Sequence, residues 1–194
     1  RSSDLIPANG EGYGELVVDV ETINWDDAKS LLGLIERIGE DRIAAFFCEP
    51  IIGAGGIYLP PDGYLAGVRE LCDRHGIVFI ADEVMAGFGR CGEWFAWQRY
   101  GEAGRPDMMT LAKGLTGAAI PLGAVVLSAE VSARLEHEML QTGLTYCGHP
   151  LACAAGLAAI HTMKRDGVNE HVRTIAPVFR EALEALLAFD IVGD

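Results

Sequence analysis

Apolar residues fall along this chain in short unbroken runs, separated by stretches with helical spacing. The segments 43–48, 77–81, 108–112 and 124–128 are continuous hydrophobic runs of strand length. Such runs are the pattern of strands in a parallel sheet covered on both faces. Helical spacing runs over 26–38 through Leu31, Leu32, Leu34, Ile35 and Ile38, and returns over 62–75 through Tyr64, Leu65, Val68, Leu71 and Cys72. Gly76 suits a helix C-cap. Strand, helix and strand in that order predict a parallel pair joined by a crossover helix.

The lead-in 7–14 and the segments 53–61 and 114–123 read as loops. A long helix is predicted from Pro150 towards Lys164, broken at Gly167. A second helix over 169–188 leads to Ile191-Val192, which reads as the opening of another strand. The predicted class is α/β, a mainly parallel sheet with helices on both faces.

Composition narrows the function classes. The 194 residues, half of them hydrophobic, suffice for a sizeable core, and 15 basic against 28 acidic residues give a net charge of -13. That charge repels nucleic acid and anionic membrane surfaces. No apolar run approaches the roughly 20 residues that span a bilayer. The opening Arg1-Ser2-Ser3-Asp4 reads as a cut or processed end. Cys48, Cys72, Cys91, Cys147 and Cys153 are odd in number and show no CxxC, which reads as reduced thiols in a cytoplasmic protein. The five histidines show neither an i,i+4 pair nor HExxH, so no metal site is expected.

Chemistry enters at two strand ends. The run 77–81 ends in Asp82-Glu83-Val84, and the run 108–112 delivers Lys113-Gly114. An acid there matches where open parallel sheets bind ligands, although an isolated Asp more often serves as a turn or cap. A lone lysine is usually a solvated charge, but this one stands between a buried strand and a glycine. Together, carboxylate and amine suit a pyridine-aldehyde cofactor: the acid keeps the ring nitrogen protonated and the lysine holds the aldehyde as a Schiff base.

Gly87-Phe88-Gly89-Arg90-Cys91-Gly92 formally fits GxGxxG but does not lie directly between strand and helix, so a dinucleotide reading is disfavoured. Arg90 reads as a brace for loop carbonyls, and Trp94, Phe95 and Trp97 as packing. Thr145, ahead of a helix, suits either a cap or a phosphate contact.

The stretches Glu49-Pro50-Ile51-Ile52-Gly53-Ala54-Gly55-Gly56, Ala81-Asp82-Glu83-Val84-Met85-Ala86-Gly87, Leu111-Ala112-Lys113-Gly114-Leu115-Thr116 and Thr145-Tyr146-Cys147-Gly148-His149-Pro150 stand in this order. In sequence and order they resemble the signatures of class III aminotransferases, pyridoxal phosphate-dependent enzymes of fold type I. The resemblance is close over about 43–160, and residues before about 26 match poorly. It implies that Lys113 carries pyridoxal 5'-phosphate and moves protons, and that Asp82 pairs with the ring nitrogen. Val84 would pack on the ring, Glu49 would join the polar network beside it, and Thr145 would bind the cofactor phosphate of a neighbouring subunit in a homodimer.

The implied reaction moves an amino group from an amine or ω-amino acid to an oxoacid such as pyruvate or 2-oxoglutarate, by a ping-pong Schiff-base mechanism. Ala54 stands where ornithine- and 4-aminobutyrate-type members carry a second glutamate, which makes the chain more similar to the taurine and β-alanine group. Two alternatives share these residues: an aminomutase or epimerase of the same fold, and an inert fragment that keeps the fold. Family members are about twice this long. The expected division is 1–164 as the C-terminal part of the cofactor-binding large domain with its linking helix, and 165–194 as the start of a small C-terminal domain.

Overall fold

The computed structural model describes residues 19–137 and 143–192, so the lead-in 7–14 lies outside the described residues. The sheet has four strands in sequence order: β1 (Ala45–Cys48), β2 (Val78–Asp82), β3 (Met108–Leu111) and β4 (Ala124–Leu127). β1, β2 and β3 run parallel, with Phe46 opposite Phe79 and Asp82 opposite Thr110. β4 returns antiparallel to β3. The link from β3 to β4 holds only a short 3-10 turn, Lys113–Leu115, and a chain that doubles back without a crossover helix must run antiparallel.

Helix α1 (Lys29–Ile38) and helix α2 (Tyr64–His75) pack on one face of the sheet. Leu31 and Ile35 meet Leu65, Val68, Leu71 and Cys72, with Phe46 and Phe79 from the strands beneath. Leu31, Leu65, Val68 and Phe79 are essentially sealed from solvent, and each such side chain contributes about 1.5–3 kcal/mol by leaving water. Gly76 ends α2 in the left-handed conformation, φ 65°. There it directs the Ile77 N–H back to Cys72 O at 2.9 Å, as the cap reading requires.

Partners in register share a face, so Phe47, Ile80, Asp82, Thr110 and Val125 line the other side. Phe47 and Val125 are 36% and 58% exposed. Helices α1 and α2 cover the face that carries Phe46 and Phe79.

Asp107 fixes the base of the sheet. Its Oδ2 accepts the Phe79 N–H at 2.7 Å and the Arg69 guanidinium at 2.8 Å, while its backbone carbonyl accepts Ser128 N–H at 2.8 Å. One acid thereby links α2, β2 and the far end of β4.

Beyond the sheet come α3 (Ala129–Leu135), α4 (Pro150–Arg165) and α5 (Val168–Glu184). Ser128 caps α3 by accepting the Val131 N–H, a helix that the apolar pattern did not announce. Pro150 opens α4, and Gly167 (φ 59°) breaks the chain before α5, as the spacing predicts. α5 ends in a 3-10 turn, Ala185–Ala188. Ile191 and Val192 form no strand with the described residues, which corrects that expectation.

Candidate functional site

Three loops meet at the C-terminal ends of the three parallel strands. Close approaches at two glycines hold them together. A Cβ at Gly53, in the loop after β1, would lie 2.9 Å from the Met85 Cβ in the turn after β2. A Cβ at Gly114, after β3, would lie 2.6 Å from the Phe88 Cβ. Both contacts are shorter than carbon atoms tolerate, so each position excludes a side chain.

Glu49, Asp82 and Lys113 stand on these loops. Asp82 is half-buried at the last position of β2, and its Oδ1 accepts the Val84 N–H at 2.9 Å. Glu49 is buried, and its Oε2 accepts the Gly53 N–H at 2.9 Å. Burial pushes the Glu49 carboxyl above the usual carboxylate range and the Gly53 N–H opposes it. Asp82 raises it further and Lys113 lowers it. Glu49 is therefore close enough to feel both Asp82 and Lys113.

Lys113 is exposed and takes a left-handed backbone conformation, φ 43°, directly after Ala112 in extended conformation. A lysine gains nothing intrinsic from that region, so the surrounding structure imposes it. The loop that follows is closed by Thr116, whose buried hydroxyl donates to Ile120 O at 2.7 Å, and by the Thr116 and Ala118 N–H groups, both directed to Lys113 O. The amine is thus carried on a fixed turn.

Val84 is half-buried beside Asp82. Thr145 is an exposed residue of the turn leading into α4, and nothing among the described contacts brings it to Glu49, Asp82 and Lys113. The glycine-rich segment 87–92 opens no helix. It folds back on itself, with Phe88 N–H donating to Trp94 O at 2.7 Å and Gly89 N–H to Glu93 O at 3.0 Å. Its carbonyls are braced by Arg99, which donates to Cys91 O at 2.8 Å, and by Arg173, which donates to Gly92 O. These two arginines take the part that the sequence assigned to Arg90. Trp97 is buried, and Trp94 and Phe95 pack on Phe88, Leu111 and Leu115, as expected.

Two polar side chains here escaped the sequence reading. Glu83 is fully buried and accepts two backbone N–H groups. A charged residue directly after an apolar strand, on the side opposite Asp82, was its signal. The Thr110 hydroxyl, opposite Asp82 in register, is buried without a hydrogen-bond partner, and nothing in the apolar run marked it. A cavity of about 570 Å³ along the outer side of β1 is lined by Glu49 but by neither Asp82 nor Lys113. No group of three or more potential metal ligands occurs among the described residues.

Comparison with known proteins identifies the family. The class-III aminotransferase family model matches residues 15–194, so the likeness starts earlier than the motifs indicated. The putrescine–pyruvate aminotransferase of Pseudomonas aeruginosa is 43% identical over 169 residues, covering 86% of this chain and 37% of that protein. The omega-amino acid–pyruvate aminotransferase of Pseudomonas putida is 40% identical over 166 residues, covering 82% and 36%. The crystal structure of taurine:2-oxoglutarate aminotransferase from Bifidobacterium kashiwanohense, in complex with PLP and glutamate, superposes with a TM-score of 0.80 at 46% identity. It covers 83% of this chain and 36% of that one. This chain thus spans little more than a third of the length of these relatives. The family model covers residues 15–194 and these relatives are 40% or more identical, so the chain belongs to the class-III aminotransferase family.

Proposed function

We propose that this chain carries the catalytic lysine and the ring-nitrogen acid of a pyridoxal phosphate-dependent transaminase acting on an amine or ω-amino acid. The observation that carries the reading is the placement of Asp82 and Lys113 at the ends of neighbouring parallel strands, with Glu49 at the end of the third. The donor set fits the cofactor: an exposed amine on a fixed turn, and a carboxylate whose orientation the Val84 N–H holds. When bound, the pyridoxal ring supplies an electron sink for the bond broken at the substrate carbon.

The chain's own residues have separable tasks. Lys113 Nζ would hold the cofactor, and its amine is placed to take and return the proton at the substrate carbon. Asp82 holds a proton on the ring nitrogen, since an adjacent carboxylate raises the pKa of a pyridinium. Val84 limits the room on one face of the ring, and Glu49 orders the polar groups beside it. Thr145, exposed and apart from this cluster, suits a phosphate contact reaching a second subunit's site in a homodimer.

Residues 1–164 then belong to the large, cofactor-binding domain and 165–194 begin the small one. The related enzymes named for pyruvate or 2-oxoglutarate support those oxoacids as acceptors. Ala54 supports a donor of the taurine or β-alanine kind. No described helix is long and apolar enough to cross a membrane, and five free cysteines support a cytoplasmic location. The test is an absorbance spectrum of the chain with pyridoxal phosphate, before and after β-alanine or taurine without oxoacid. Conversion to the amine form of the cofactor, with release of an oxo product, supports transamination. A shift that reverses without product release supports an aminomutase or epimerase instead.

A further inference from the structure

Glu83 is 0% exposed. Its Oε2 accepts the Ala96 N–H and its Oε1 the Trp97 N–H, each at 2.9 Å. Its backbone N–H donates to Thr110 O at 3.0 Å, and its carbonyl accepts the Gly87 N–H at 2.9 Å. Gly87 is a tight fit, because a Cβ there would lie 2.7 Å from the Glu83 carbonyl oxygen. The Trp97 indole N–H is buried without a partner, so this segment is held to Glu83 through its backbone. One residue thereby joins the end of β2 to β3, to its own turn and to the 3-10 segment Ala96–Tyr100.

Asp82 precedes Glu83 and Val84 follows it, and Asp82 Oδ1 accepts the Val84 N–H. Both share the backbone of Glu83, so a shift of the Glu83 peptide units moves both. We propose that Glu83 is the positioning residue of the site: its grip on the Ala96 and Trp97 amides sets the direction in which Asp82 presents its carboxylate. The role rests on reading Asp82 as the ring-nitrogen partner, but the coupling of Glu83 to Asp82 can be measured without cofactor.

The grip requires an ionised acid. Two N–H donors face its two oxygens, and protonation turns one oxygen into a donor opposed to an N–H. Burial, opposed by the Trp97 and Ala96 N–H groups and aided by Asp82, pushes the Glu83 carboxyl up to about 7. The titratable neighbours are Asp82 on β2, Cys48 on β1 and Cys91 in the glycine-rich segment. Burial raises both thiols, which leaves them uncharged through neutrality. Asp82 is then the charge that Glu83 meets.

The test is a pH titration of backbone amide chemical shifts by NMR in the chain without cofactor. The Ala96, Trp97 and Val84 amides are expected to shift together, with one midpoint near pH 7, and all three transitions are expected to vanish in Glu83→Gln. A Val84 amide that stays still while Ala96 and Trp97 titrate would overturn the proposal, as would a Val84 transition that survives in Glu83→Gln. Should that variant fail to fold, Asp82→Asn decides: it keeps the acceptor for Val84, so the Val84 transition persists if Glu83 drives it. Its loss would show that Asp82 reports only its own proton and would overturn the coupling.

Discussion

A Cβ on Gly114 would stand 2.6 Å from the Cβ of Phe88, so the turn that follows Lys113 seats directly on the glycine-rich segment that follows Asp82. Phe88 is itself buried, in the left-handed conformation at φ 57°, and stacks edge-on against Phe95 at 5.7 Å. It has little freedom to give way. Gly114→Ala is therefore expected to destabilise the chain by ~1–3 kcal/mol, the usual range for overpacking. Urea unfolding checks this, and a shift of the midpoint without change of slope is expected.

Lys113 stores backbone strain of its own. At φ 43° a non-glycine residue costs ~1–2 kcal/mol, which glycine avoids. Lys113→Gly is expected to be more stable than Lys113→Ala by about 1 kcal/mol, because the exposed side chain gives up little packing in either variant. Thermal unfolding of the two variants checks the difference. Both are expected to lose covalent attachment of the cofactor.

Glu83 should mark the pH dependence of stability. Its carboxyl is pushed up to about 7 in the folded chain from the ordinary 4.5. Between those values the folded state binds more protons than the unfolded state, so stability falls as pH rises through the window. The contribution is complete below pH 4.5 and lost above pH 7, and a shift of that size corresponds to roughly 3 kcal/mol. Denaturant unfolding from pH 4.5 to 8 is expected to show this decline in the parent chain and a flatter profile in Glu83→Gln.

Asp107 tests the frame rather than the site. Asp107→Ala strands the Phe79 N–H, on a residue 0% exposed, and removes one partner of Arg69, which keeps its pair with Asp73. The expected loss is ~1–3 kcal/mol for an unsatisfied buried donor. Asp107→Asn keeps one acceptor and should lose less. Comparison of the two by urea unfolding separates the hydrogen bond from the charge.

What could be read in the sequence follows from how local each cause is. The four strands are visible as unbroken apolar runs, even β4, whose residues are mostly exposed, and the α2 cap because glycine suits φ 65°. The direction of β4 is not visible, since the same run serves a parallel or an antiparallel strand and only the connection decides. The site residues Asp82 and Lys113 stood out because they interrupt apolar runs. Glu83 stood beside them without a role, because its partners at Ala96 and Trp97 lie 13 and 14 positions away. The bracing of the glycine-rich segment was misplaced on Arg90 for the same reason: Arg173 reaches Gly92 across 81 positions.

The central claim is that Lys113 is the residue that holds the cofactor. Incubating the chain with pyridoxal phosphate, reducing it with borohydride and mapping the product by peptide mass spectrometry tests this directly. The expected result is the reduced cofactor mass on the peptide containing Lys113, absent in Lys113→Ala. Cofactor mass on other lysines with none on Lys113, or unaltered labelling in Lys113→Ala, would contradict it.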